Sequence, residues 1–410
     1  MTNVIIIALR NLFRNTRRTL LTSSLITFGV ILVVVFGGLA ISFKSQMIGV
    51  LTNTAMGDLQ IHKKGYVESI DNQPLNLTLS KTEMATIEAV LNKMPEIEAF
   101  SPRIKFGAMI SNYVQTSNIR LNAVYPEKEN RTVTGFVKRI KGNILDPDKF
   151  LKPGEILIPE NLMNGLSLKT GDDIVLVATN KEGSVNAVTL RIAAVTEAVF
   201  GPSGKDGYIH IDDAQAVLRM DQPEIVEIAI HLRKFDKLHA VSTALKSAFG
   251  SPHAQFEVHT WEQLSPFSSI TRIVDLLIIV VKFILMTIVL VSILNIMTMS
   301  VYERISEIGT IAAIGTPPHK ILALFLVEGF AMGLLSTIVG IVIGLGALWI
   351  MNITKIDFTF GTMNVSLAPS IPASEVIWVA IIVMFVSLFA GFQPAYKASK
   401  MEPVDALGHV

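Results

Sequence analysis

The chain has 410 residues, 50% of them hydrophobic and only 17% charged, with a mean hydropathy of +0.50 and a formal net charge of +1. A soluble globular protein carries about a quarter charged residues, so this deficit argues against a cytoplasmic enzyme, and the balance of 35 basic and 34 acidic residues gives no global reason to expect nucleic acid as a partner. The absence of cysteine excludes disulfides, thiolate metal sites, cysteine nucleophiles and a lipid-modified N-terminal cysteine.

In residues 1–19, Val4, Ile5, Ile7, Leu9, Leu12 and Phe13 alternate with arginines at roughly helical spacing. The pattern predicts a basic amphipathic helix lying on the cytoplasmic leaflet. Residues 20–43 then run without a charge, too long for a signal-peptide core of about 7–15 residues. Further apolar runs occupy the end of a stalk-and-span segment at 271–301, then 321–350 and 376–393. Roughly 20 apolar residues cross the hydrocarbon core as a helix, so four membrane spans are expected. Arg10, Arg14, Arg17 and Arg18 precede the first span, Arg304 and Lys320 lie between the second and third, and Lys397 and Lys400 follow the fourth. The positive-inside rule therefore places both termini, the loop 302–320 and the tail 394–410 in the cytoplasm. Residues 44–270 and the short loop 351–375 fall outside, in the periplasm if the membrane is a bacterial inner membrane.

Residues 44–270 have ordinary soluble composition and read as a mixed α+β domain. Asp58–His62 has strand character, Ser80-Lys-Thr-Glu83 has capping-box spacing and opens a helix to about Lys93, and Ala99–Ser111 is extended. Ile225–Leu232, Lys234–Phe249 and Gln255–Thr260 repeat the strand–helix–strand order. The two units are expected to pair as halves of one subdomain. Between them, Asn118–Tyr125, Glu155–Pro159, Asp173–Thr179, Asn186–Val195 and Gly207–Ile211 predict an inserted, mostly β subdomain.

No catalytic constellation stands out. The eight histidines are scattered, without metal-ligand spacing, and His62, His210 and His231 lie in strand-like runs that suit surface or hydrogen-bonded histidines. The segment from Gly201 to Asp206 has the wrong spacing for a phosphate loop, and no G-x-x-x-x-G-K-[ST] occurs, so ATP hydrolysis is not expected of this chain. Lys44, Asp275 and Lys282 flank the apolar runs and are expected in water or snorkelling at the interface, while Glu328 is either interfacial or a cap within the bundle. Few other polar residues interrupt the spans, which argues against a hydrophilic conduction path. Gly329–Gly333 and Gly340–Gly344 are G-x-x-x-G pairs that permit close helix packing.

The loop 302–320 carries the strongest signal. Glu303, Arg304 and Glu307 form a charged turn, and Ile308, Ile311, Ala312 and Ile314 give a short apolar helix face ended by Gly315, Pro317 and Pro318. An amphipathic helix joining two spans has the form needed to dock on a partner protein.

Tyr302-Glu303-Arg304, Glu307-Ile308-Gly309 and Ala313-Ile314-Gly315 together resemble the hallmark loop of MacB/FtsX-type ABC transporter permeases. Glu328 in the next helix, the N-terminal Leu9–Arg14 with Arg17-Arg18-Thr19, and the tail residues Pro394, Ala395, Ala398, Pro403, Ala406 and Leu407 are similar to the same family. So are Gly154–Ile158 and Leu168 with Gly171-Asp172. The resemblance implies a MacB-like periplasmic domain and a four-span subunit working as a dimer, with an identical or paralogous partner, beside a separate pair of ABC ATPase subunits. Those subunits would hold ATP and Mg, leaving this chain without a cofactor of its own. By residue match, Glu303, Arg304, Glu307, Ile308, Gly309, Ile311 and Ile314 would form the ATPase-coupling element. MacB carries its ATPase fused to the N-terminus, whereas this sequence starts directly at the membrane helix, and it is therefore expected to resemble the lipoprotein-releasing LolC/LolE branch or the stand-alone permeases. The expected role is export or membrane extraction, with lipoproteins one candidate cargo, a periplasmic or outer-membrane component a candidate partner, and membrane lipid the surroundings. The alternative is an FtsX-like signal transmitter that activates a periplasmic cell-wall hydrolase.

Overall fold

The structure is a computed structural model that describes residues 16–142, 146–197, 204–249, 255–264, 267–354, 356–360 and 363–401. Most of the expected N-terminal amphipathic helix, residues 1–15, lies outside the described residues, as do the tail motif from Pro403 to Leu407 and Gly201–Ser203.

Helix α1 (Thr16–Leu51) runs on into a π-helical turn at Thr52–Met56. At 1.5 Å per residue, its 36 residues extend about 54 Å, beyond the roughly 30 Å of a hydrocarbon core. The chain then builds the α/β unit in the order β1 (Leu59–Lys63), α2 (Lys81–Leu91), β2 (Ile97–Ser111), β3 (Thr116–Val124), α3 (Pro126–Thr132), β4 (Ile140–Lys141) and β5 (Glu155–Pro159). There follow α4 (Glu160–Gly165), β6 (Asp173–Thr179), β7 (Val185–Thr196), β8 (Asp206–His210), α5 (Ile211–Val217), β9 (Glu227–Leu232), α6 (Leu238–Phe249) and β10 (Phe256–Thr260). Helices α7 (Phe267–Tyr302), α8 (Ile305–Ala313) and α9 (Pro318–Thr354) come next. A pair of short strands, β11 (Ile356–Phe360) and β12 (Met363–Leu367), then leads to α10 (Ala373–Ser399). Ser23–Met56, Thr271–Tyr302, Pro318–Thr354 and Ala373–Ser399 are long and apolar enough to cross a membrane.

The two strand–helix–strand units do combine. β1 pairs antiparallel with β10 and β9, and β9 with β2, giving the order β10-β1-β9-β2 of a split β-α-β arrangement. Ser80 caps α2 as its spacing predicts: its side chain accepts from the Glu83 amide while its own amide donates to the Glu83 carboxylate at 2.7 Å. The inserted strands extend the same sheet. β2 is 15 residues long; residues 97–103 pair with β9, residues 103–111 pair with β3, and residues 108–111 pair on the other edge with β6. One ladder thus continues through β3, β8, β5 and β7, and one apolar core runs beneath, from Leu59 and Ile61 through Ile104 and Phe106 to Ile174 and Ile209. A smaller cluster around Phe136, Phe150, Leu157 and Tyr208 closes one flank.

The helical unit has its own core, in which Val30 and Val34 of α1, Val289 and Ile293 of α7, Phe325 of α9 and Val383 of α10 are buried together. The four long helices are apolar on all sides, as expected of helices surrounded by protein and lipid.

Candidate functional site

The loop between α7 and α9 is organised by Arg304. This residue leaves helical geometry (φ −116°, ψ 22°) and so separates α7 from α8. Its Nη1 donates to both Glu328 carboxylate oxygens at 3.0 and 3.2 Å, and its Nε donates to Glu307 at 2.9 Å. The guanidinium also lies 5.9 Å from the centre of the Phe325 ring. Burial opposes the charge, but Glu328 and Glu307 more than compensate and raise the proton affinity of Arg304 above its ordinary value. Glu328, only 5% exposed, thus caps a contact within the bundle.

With Arg304 fixed, the helical period divides the residues of α8. Ile308, at 3% exposure, enters the bundle core with partly buried Ala312 beside it, and Gly309 is buried. Glu307, Ile311 and Ile314, spaced i, i+4 and i+7, point away from the bundle, and Ile314 is 81% exposed. The sequence pattern joined Ile308, Ile311, Ala312 and Ile314 in one apolar face; the structure gives Ile308 and Ala312 to the core and leaves Ile311 and Ile314 outside. Glu303 is exposed on the preceding turn. Gly315 ends the element with φ +93°, and Pro318 opens α9.

Each glycine of the two G-x-x-x-G pairs admits a neighbouring helix. A Cβ on Gly340 would stand 2.7 Å from Val30, and one on Gly344 would stand 2.9 Å from Val34, so this pair seats α1. Gly329 faces Met297 of α7 at 3.3 Å, and Gly333 faces Ser387 of α10. Across the α1–α9 seam, Thr27 Oγ1 donates to the Ser336 carbonyl at 3.5 Å and Ser336 Oγ donates to the Ser23 carbonyl at 3.3 Å. Lys44, Asp275 and Lys282 are partly exposed and each pairs with an opposite charge. Lys44 pairs with Asp275 at 2.6 Å and joins α1 to α7, and Lys282 pairs with Glu375 at 2.9 Å and joins α7 to α10.

The α/β unit holds a buried polar cluster that sequence reasoning missed. Arg103 on β2, 1% exposed, donates to Glu129 of α3 through Nε and Nη2 at 3.0 and 2.7 Å and to Glu227 of β9 through Nη1 at 2.9 Å. Lys105 reaches the other Glu227 oxygen at 2.7 Å, and His62 Nε2 lies 3.4 Å from it. His62 is fully buried and stacks on Tyr66 at 4.9 Å, so it is an interior partner and no surface residue. Burial disfavours the Glu227 carboxylate, yet Lys105, the His62 hydrogen bond and Arg103 hold it well below the usual range. The alternation of β2 and β9 marks which positions face inward, but nothing local says that an arginine and a glutamate share one interior. Among the described residues, no group of three or more His, Asp or Glu is placed to hold a metal ion.

Comparison with known proteins agrees with this architecture. Residues 19–248 match the model of the MacB-like periplasmic core domain, and residues 279–403 match the FtsX-like permease C-terminal model. The lipoprotein-releasing system transmembrane protein LolC of Neisseria meningitidis is 22% identical over 415 residues, covering 95% of this chain and 93% of that protein. An uncharacterized ABC transporter permease of Methanocaldococcus jannaschii is 28% identical over 223 residues, or 54% of this chain, which spans only 50% of that relative. The crystallised periplasmic region of MacB from Actinobacillus actinomycetemcomitans aligns with 56% of this chain and 95% of its own, with 13% identity and a TM-score of 0.35. The α/β domain between the first two apolar helices is therefore a periplasmic domain of MacB type, the helices after it are those of an FtsX-like permease, and the chain belongs to the MacB/FtsX-type ABC transporter permease family.

Proposed function

We propose that this chain is the permease subunit of an ABC complex whose ATP hydrolysis takes place on separate subunits that dock on α8. The single observation that carries this reading is the division of α8: Arg304 and Ile308 anchor it to the bundle, while Glu307, Ile311 and Ile314 are presented outward beside Glu303. An anchored helix with an apolar and acidic outer face transmits a push to α7 and α9 instead of yielding to it. The basic flanks of the spans support a cytoplasmic position for this loop and for both termini in an inner membrane, the side on which ATP is available. No phosphate-binding loop occurs in the sequence, which supports ATP and Mg being held by the partner.

The output of the cycle is movement of α1 and α7, both long enough to leave the bilayer, and with them the periplasmic domain. Exposed Leu276, Ile279, Phe283 and Ile288 along α7 suit lipid or a second permease subunit, identical or paralogous. The match over nearly the whole of LolC supports extraction or export of a membrane-associated cargo, lipoproteins first among candidates.

Charge reversal at Glu303 and Glu307 tests the docking assignment: the full-length variant, purified from membranes, is expected to lose its co-purifying ATPase, and unchanged retention would sink the assignment. Site-specific crosslinking from the periplasmic domain tests the output. Adducts with lipoproteins support extraction, an outer-membrane or adaptor adduct supports export through a larger assembly, and an adduct with a cell-wall hydrolase replaces both with signal transmission.

A further inference from the structure

The last carbonyl groups of an α-helix have no partner within the helix and normally turn to water. Where α1 runs into the π-helical turn Thr52–Met56, every one of them is taken up by protein donors. The Thr52 oxygen accepts from the Gly57 amide at 2.9 Å and the Asn53 oxygen from the Gly135 amide at 2.8 Å. The Thr54 oxygen accepts from Arg139 Nη1 at 2.9 Å, the Ala55 oxygen from Arg103 Nη1 at 2.8 Å, and the Met56 oxygen from Gln60 Nε2 at 2.8 Å.

The two arginines are not incidental donors. Arg139 is only 4% exposed and has no carboxylate partner among the described residues; its Nη2 donates to the Glu197 carbonyl at 2.7 Å, and its guanidinium lies over Phe136. A buried cation without an acid is costly, and what offsets the cost here is the negative end of a long helix dipole. Arg103 is oriented by Glu129 and Glu227, which aim its remaining Nη1 proton at Ala55. The turn is also pressed against its surroundings. A Cβ on Gly135 would stand 3.0 Å from Thr54 Cγ2 and 3.1 Å from the Asn53 oxygen, and Gly57, at φ +74°, would meet the Ile230 oxygen at 2.9 Å. Donors from β1, β2 and the segment before β4 therefore converge on one turn.

We propose that Arg139 and Arg103, with Gly135 and Gln60, form a rigid joint that fixes the end of α1 to the sheet, so that displacement of α1 reaches the periplasmic domain without being absorbed at the turn. The inference rests on the reading above that this chain transmits motion. Arg139 and Arg103 act in it as positioning residues.

The cysteine-free chain allows a direct test by spin labelling. In the full-length protein in nanodiscs, labels at Met47→Cys and Lys138→Cys report the joint, and labels at Lys93→Cys and Glu182→Cys report the integrity of the domain. The first pair is expected to give one narrow distance, which Arg139→Met broadens about twofold while the second pair is unchanged. Should Arg139→Met disturb the second pair as well, Arg139→Lys decides, because it keeps the charge but cannot span the Thr54 and Glu197 carbonyls. A first-pair distance as narrow as in the parent in whichever variant keeps the domain intact overturns the joint. Labels at Lys93→Cys and Ser374→Cys, followed on adding ATP to the complex with its co-purifying ATPase, separate the joint from the underlying reading. No ATP-dependent shift in the parent removes the transmission reading, whereas a shift that persists undiminished in Arg139→Met removes the joint alone.

Discussion

Arg304, in the break between α7 and α8, holds both carboxylate oxygens of Glu328 on α9, at 3.0 and 3.2 Å. The contact ties the start of α8 to α9, the helix that follows it, and buried Ile308 anchors α8 a second time in the bundle core. The pair is mostly buried, so breaking it leaves a poorly hydrated charge. Glu328→Gln is expected to destabilise the purified protein by about 2 kcal/mol, less than for a fully buried pair because Arg304 retains Glu307. A double-mutant cycle with Arg304→Gln in thermal unfolding should return a coupling of about 1–2 kcal/mol. Strict additivity would show that the contact contributes nothing.

The two faces of α8 should separate in experiment. Ile308→Asp places a charge in the bundle core and should lower the unfolding temperature sharply. Ile314→Asp, on the outer face, should leave the unfolding temperature within about a degree, in line with surface changes of roughly 0.5 kcal/mol or less, yet reduce the ATPase recovered with the complex. Loss of stability in the second variant, or full ATPase recovery with intact folding, would contradict the division of faces.

The glycines of α9 predict a graded series. Gly340→Val and Gly344→Val drive methyl groups into Val30 and Val34 and should cost about 1–3 kcal/mol by overpacking the α1–α9 seam. Gly346→Ala meets nothing within 4 Å and should be neutral or slightly stabilising, since alanine favours helix over glycine by about 1 kcal/mol. Differential scanning fluorimetry in detergent reads both, and equal effects at Gly340 and Gly346 would refute the assignment of the seam.

Acid sensitivity should centre on Glu227. Its folded-state pKa is depressed, so its contribution to stability is complete above the ordinary glutamate value of 4.5 and is lost as the pH falls below it. Glu227→Gln is expected to destabilise at neutral pH and to flatten the acid limb of a stability–pH curve. An acid limb of unchanged steepness would place the sensitivity elsewhere.

His231 gives the opposite sign. The Asp58 carboxylate, 3.0 Å from the ring Nδ1, raises its pKa, against burial, so its contribution is full below the ordinary histidine value of 6.5 and is lost as the pH rises through the elevated folded value. His231→Gln should remove the part of the stability difference between pH 6 and pH 8 that the parent shows, as chemical denaturation at the two pH values can measure.

Much of this molecule is written locally. Uninterrupted apolar runs announce the long helices, because a backbone in lipid must satisfy its own hydrogen bonds. Ser80 and Glu83 mark the start of α2 by spacing alone, and alternation delimits β5 and β6 to the residue. The charged turn at Glu303–Glu307 likewise marks the break between two spans, since ionised groups between apolar runs must meet water, a counter-charge or a docking partner. Three things depended on tertiary structure: which face of α8 Ile308 joins, which helix each glycine of α9 admits, and that Arg103 and Arg139 converge on the carbonyl groups at the end of α1. Periodicity reports which side of an element is apolar, but a buried ion pair or a clasped helix end is made by residues 48 and 85 positions apart in the chain, and their meeting is decided only when the sheet closes around them.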